Sequence, residues 1–299
     1  MIIFRGKIVR SCIRALMMSM LGGLMTISCS CNKGHASKQD AWSLRIENPG
    51  AAPKRLLHYQ FEQNSWGTYL LDTRIESTGV EGEKNAALVW EVTPSKKTGQ
   101  APLLELELTS VKRGGVPTGP RWDAPPGIAW ELAPSGRTKR FSAVLVYTEI
   151  SDGLGDPQAY FRRLVPVLPQ EAVGKGAEWT VRRTIKLPLA EESGKGHLNA
   201  RETIRYTLKD IDDAANTAQV TASINIEFDG DLEPIGHFLI IKGTGRGNLR
   251  ASIDLENGRV QKAELDLKEE LDLEVDMKKR NISSRMTFSL RHEPAEHAG

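Results

Sequence analysis

The sequence predicts a mostly-β protein: curved antiparallel meander sheets in two halves, half-barrel or sandwich-like, with one or two short helices. Three observations carry this. From Trp42 onward apolar residues recur at every second position, the spacing of half-buried strands. Turn-forming segments, Asn257-Gly258 and the Asp-rich 210–213 among them, separate the longest runs. Only one segment, near the middle, carries a helix start.

The N-terminal region differs from the rest. Residues 1–14 hold Arg5, Lys7, Arg10 and Arg14 and no acidic residue, and Ala15 to Ile27 is an apolar run. That run is shorter than the roughly twenty residues a spanning helix needs. Basic flank, apolar block and the small residues Ser28, Cys29, Ser30 and Cys31 therefore read as an export signal over 1–28. Thr26-Ile27-Ser28-Cys29 resembles the lipobox of bacterial lipoproteins, although Thr26 stands where that family usually has Leu. The resemblance implies a lipid attached at Cys29, with Cys31 the second candidate. Ser30 in place of Asp implies the periplasmic side of the outer membrane. Ordinary cleavage near Ser30 or Ala36, giving a soluble periplasmic or secreted protein, is the alternative.

Residues 29–41 are small and polar and read as a tether. An N-terminal β-rich half follows over 42–168. Leu57, Tyr59 and Phe61 alternate with His58 and Gln60, and Leu104, Leu106 and Leu108 with Glu105 and Glu107. Asp156-Pro157 opens a short helix to Leu164, stopped by Pro166 and Pro169, and this half ends there. The C-terminal antiparallel half, 169–293, alternates more cleanly. Val220 to Phe228 and Leu249 to Leu255 are strands, and Glu256 to Arg259 is a hairpin turn. A long return strand puts Ala263, Leu265, Leu267, Leu271, Leu273, Val275 and Met277 on one face. As a helix the same leucines would scatter around the cylinder. Glu269 breaks this register and is read as a bend or bulge. Ile282, Met286, Phe288 and Leu290 form a last strand, and 294–299 is a tail. Tyr59 and Tyr206, each two residues before an apolar one (Phe61, Leu208), echo one another as strand openings of the two halves.

Composition narrows the chemistry. The net charge is +2; four of the 40 Lys and Arg residues lie in the signal, leaving 36 against 38 Asp and Glu. Without a basic block, nucleic acid is not an expected partner. All three cysteines, Cys12, Cys29 and Cys31, lie at the N-terminus, so the body has no disulfide or thiolate metal site. Gly243-x-Gly245-x-Gly247 leads into a strand, so it reads as a hairpin or a bend in a curved sheet and not as a phosphate loop. Asp210-Ile-Asp212-Asp213 and Asp229-Gly-Asp231 lack EF-hand spacing and read as solvated turns. The six histidines have no HxH or HExxH spacing, and no serine sits in a Gly-x-Ser-x-Gly elbow. No catalytic residue, metal site or cofactor is assigned. Two tryptophans, Trp122 and Trp130, fall in the proline-rich stretch 117–130. Either they pack the core, or they form an aromatic rim that contacts a ligand or partner.

Residues 167–180, with Pro169, Val173, Gly176 and Trp179, resemble a segment of uncharacterised bacterial envelope lipoproteins, as does Ile253 to Val260 after the Gly-rich run. That group is loosely similar to half-barrel lipoprotein carriers of the lipoprotein-localisation type, in which a curved sheet wraps a short helix. The resemblance implies the curved-sheet fold; with no catalytic motif in the body, the function expected is a non-enzymatic, lipid-anchored binding or scaffold module whose partners are the membrane and a hydrophobic ligand or envelope protein. A hydrolase assembled from distant residues and a purely structural envelope component are the rival readings.

Overall fold

The computed structural model describes residues 42–61, 66–78, 84–95, 103–113, 116–117, 127–144, 157–186, 195–233, 239–275 and 278–293. Cys29, Cys31 and Trp122, together with the signal, tether and tail, lie outside them.

The chain forms one antiparallel sheet of 13 strands curved around a single described helix. The first seven strands are β1 (Trp42–Asn48), β2 (Gly67–Ser77), β3 (Lys84–Ser95), β4 (Leu103–Arg113), β5 (Val116–Pro117), β6 (Gly127–Leu132) and β7 (Thr138–Val144). Helix α1 (Pro157–Leu164) follows. Then come β8 (Glu178–Lys186), β9 (Lys195–Asp212), β10 (Thr217–Glu233), β11 (Leu239–Asp254), β12 (Arg259–Val275) and β13 (Lys278–Glu293). Their spatial order is β1-β8-β9-β10-β11-β12-β13-β2-β3-β4-β6-β7, with β5 on β4. The sheet is therefore continuous across the chain: β13 pairs with β2, placing Leu290 opposite Leu71 and Phe288 opposite Thr73. β1 crosses to the far edge and pairs with β8. The sheet is not closed, and this open curved meander is the form the alternation predicted.

Alternation sets which face is buried. On β12 Ala263, Leu265, Leu267, Leu271 and Leu273 point inward while Lys268, Glu270 and Asp272 are exposed. Glu269 also points inward. The register runs unbroken past it, opposite Gly245 and Ser284, so no bulge exists there; the irregularity of the β11–β12 pair lies at Ser252/Ile253. Gly243, Gly245 and Gly247 are not a hairpin but the middle of β11, all facing inward. A Cβ on Gly243 would sit 2.4 Å from the Glu270 carbonyl oxygen, so only glycine lets the neighbouring backbone close in at this bend. Asp212 does cap a solvated turn, accepting from the Ala214 and Ala215 N–H groups at 2.9 Å each. Asp229 and Asp231, in contrast, lie within β10.

Two irregular segments fill the concavity. Residues 55–61, expected as a strand, make only the isolated bridge Arg55–Val173. Leu57 and Tyr59 are buried, but the backbone bonds elsewhere: Tyr59 N–H to the Pro134 carbonyl at 2.7 Å, Gln60 N–H to Gly258 at 2.8 Å. Tyr59 thus opens no strand, whereas Tyr206 lies within β9, and the echo between them is not structural. The stretch after α1 also crosses the interior. Leu168 N–H donates to Ser135, Trp179 Nε1 donates to Val167 at 2.7 Å, and Tyr59 Oη donates to Pro166 at 2.9 Å. Arg137, in the β6–β7 turn, stacks 4.2 Å over the Trp42 ring of β1. Strands near opposite ends of the sheet order thereby meet.

Candidate functional site

On the inner face of β9 the residues run Leu198, Ala200, Glu202, Ile204, Tyr206, and on β12 Leu265, Leu267, Glu269, Leu271. Both glutamates are buried, at 1% and 4% exposure. Burying an unpaired carboxylate is costly, so partners are required. They come from β8 and α1. Arg183 Nε donates to Glu202 Oε2 at 2.7 Å, and Arg163 donates to Glu202 Oε1 through Nε and Nη2, each at 2.8 Å. Arg163 Nη1 points to Glu269 at 3.8 Å, inside ion-pair range but beyond a hydrogen bond. Arg183 Nη2 also donates to the Arg162 carbonyl at 3.2 Å. It thus serves a group that the helix C-terminus leaves without an intrahelical partner, on the side where the helix dipole favours cations.

The two carboxyls diverge in acidity. Burial pushes Glu202 up, but the charges and hydrogen bonds of Arg183 and Arg163 outweigh it and hold it at about 2. Burial pushes Glu269 up to about 7, opposed by Arg163 and reinforced by Glu202. With Glu269 protonated, the cluster holds two guanidiniums against one carboxylate.

The helix is fixed on its other side by an aromatic contact. Phe161 stands edge-on to Trp90, centroids 5.5 Å apart at 89°, and 6.4 Å from Trp130. Trp90 is fully buried, and its Nε1 has no hydrogen-bond partner among the described residues. What α1 presents to the sheet is thus an aromatic ring and, two residues on, a guanidinium.

Trp130 belongs to this wall and not to a surface rim. It stands on β6, is 1% exposed, and donates its Nε1 to Thr138 Oγ1 at 3.0 Å. It is a core ring, placed inward by the alternation of β6. Arg163, Arg183 and Glu202 did not stand out in the sequence. The signal for Glu202 was there, a charge between Ala200 and Ile204 at an inward position, as for Glu269 between Leu267 and Leu271. The arginines had none, because their partners are distant in sequence.

No family model, curated protein or solved structure matches this chain. The site must be read from its own chemistry. Among the described residues no group of three or more His, Cys, Asp or Glu side chains could hold a metal ion. No described helix is long and apolar enough to cross a membrane, which leaves open what strands do. What the cluster does is pin a short helix to the concave face of an open sheet.

Proposed function

We propose that this chain is an exported envelope protein, lipid-anchored at Cys29, whose concave sheet face is a binding or scaffold surface for a hydrophobic ligand or a partner's apolar segment. One observation carries the reading: among the described residues that face is covered by an eight-residue helix and two irregular segments, not by a second sheet. An apolar face must be covered by something, and a cover that is not itself a sheet layer leaves that face as the place where an apolar ligand or segment would pack. The resemblance of residues 167–180 and 253–260 to segments of bacterial envelope lipoproteins points the same way. So does the order of basic flank, apolar run and small residues before Cys29.

Two measurements test it. Mass spectrometry of the mature N-terminus is expected to find diacylated Cys29, and Cys29→Ala to leave uncleaved precursor; an unlipidated N-terminus further downstream would remove the anchor. A chain starting at Asn32 keeps every described strand. Purified without detergent, it is expected to carry lipid in native mass spectrometry. A clean apo mass that stays unchanged when phospholipid is added would remove the ligand.

A further inference from the structure

We propose that α1 is a proton-released latch, docked on the concave face while the Glu269 carboxyl is protonated and lifting from it as that proton is lost. Its use, control of access to the concave face, rests on the binding role above; the latch itself does not and is tested without ligand.

The geometry around Glu269 is unequal. Arg163 gives Nε and Nη2 to Glu202 at 2.8 Å and only the 3.8 Å approach of Nη1 to Glu269. β11 brings Gly245, which has no side chain, and behind it β10 brings Ile226. β13 brings Ser284, whose hydroxyl donates to Ser77 Oγ at 3.3 Å. Along β12 the inward neighbours are Leu267 and Leu271. The charged groups acting on Glu269 among the described residues are therefore Arg163 and Glu202. Glu202 repels a second negative charge, while Arg183 is bonded to Glu202 and to the Arg162 carbonyl. An ionised Glu269 shares one guanidinium already committed elsewhere.

Lifting α1 changes this balance. Glu269 gains water, and its carboxyl returns from about 7 toward the ordinary 4.5. Glu202 keeps Arg183 at 2.7 Å, so Arg163 departs without stranding a charge. The docked form holds the proton more tightly; raising the pH through 7 therefore favours the lifted form, and lowering it favours docking. The lifted-to-docked ratio is expected to rise about tenfold between pH 6 and pH 8.

Hydrogen exchange on the full chain, with intrinsic exchange rates corrected for pH, reads this directly. Opening of residues 157–168 should rise about tenfold from pH 6 to pH 8 while β9 and β10 stay unchanged, and Glu269→Gln should hold it at the low-pH value. If that variant fails to fold, carboxyl NMR of the wild-type protein replaces it, with a buried glutamate expected to titrate near 7. Equal α1 protection at the two pH values overturns the latch. So does a pH response that survives Glu269→Gln, helix and strands opening together, or a Glu269 resonance titrating below 5. Ligand-free protein that passes this test keeps the latch whatever becomes of the binding role.

Discussion

Arg163 lies 2.8 Å from Glu202 and 3.8 Å from Glu269, so one guanidinium serves two buried carboxyls unequally. Glu202, which has Arg183 as well, is held at about 2, and Glu269 rises to about 7. Each shift is also a statement about stability.

For Glu269 the folded value lies above the ordinary one. Its contribution is complete below pH 4.5 and is lost as the pH rises through 7. Above that pH the buried charge costs about 3 kcal/mol. Glu269→Gln should therefore match the wild type near pH 5 in urea unfolding and exceed it by about 2–3 kcal/mol at pH 8. A variant weaker at both pH values would show that the carboxyl does more than fill space.

Glu202 has the opposite sign. Its folded value is depressed, so its contribution is present above pH 4.5 and is lost as the pH falls through 2. Glu202→Gln removes the carboxylate that binds both Arg163 and Arg183 most closely, at 2.8 and 2.7 Å. We expect a loss of about 3–5 kcal/mol at pH 7, read from the urea midpoint. A loss under about 1 kcal/mol would mean that the guanidiniums find other partners.

Trp130 tests the difference between core and rim. At 1% exposure and against Phe161, Trp130→Ala should cost about 3–5 kcal/mol and lower the melting temperature by many degrees. A surface ring would cost almost nothing.

Adjacent positions on β12 test the alternation. Leu271 is 2% exposed, and Leu271→Lys buries an unpaired ammonium, so the chain should unfold or aggregate. Asp272 is exposed, accepts one bond from Asn281 Nδ2 at 3.0 Å, and sits opposite Lys242. Asp272→Lys should cost no more than about 1 kcal/mol. Similar melting curves for the two variants would contradict the register.

Much of the fold was legible because each side chain's face follows from its parity. Leu104, Leu106 and Leu108 proclaim β4, Asn257-Gly258 the β11–β12 turn, and Pro157 with Pro166 bracket α1. Parity misled at Tyr59, where two inward side chains imitate a strand although their backbone bonds to loops. It misled again at Glu269, where a charge in an apolar series suggested a distortion. A buried charge is tolerable only with a partner, and that partner, Arg163, comes from a helix over a hundred residues earlier. The site was illegible for the same reason. Its four members come from four elements, and local spacing says nothing about which distant residues meet.

The strand order also dictates when the molecule can fold during synthesis. β1 emerges first, but its neighbour β8 lies more than 130 residues later; β2 waits longer, since Ser77 pairs with Ser284, 207 residues on. The early chain can form hairpins, yet β2 lacks one neighbour until the last strand arrives. Pairings this distant carry a large loop-closure cost and slow the search. A nascent chain can therefore hold its local hairpins, but the two runs of strands join into one sheet only once β13 is made.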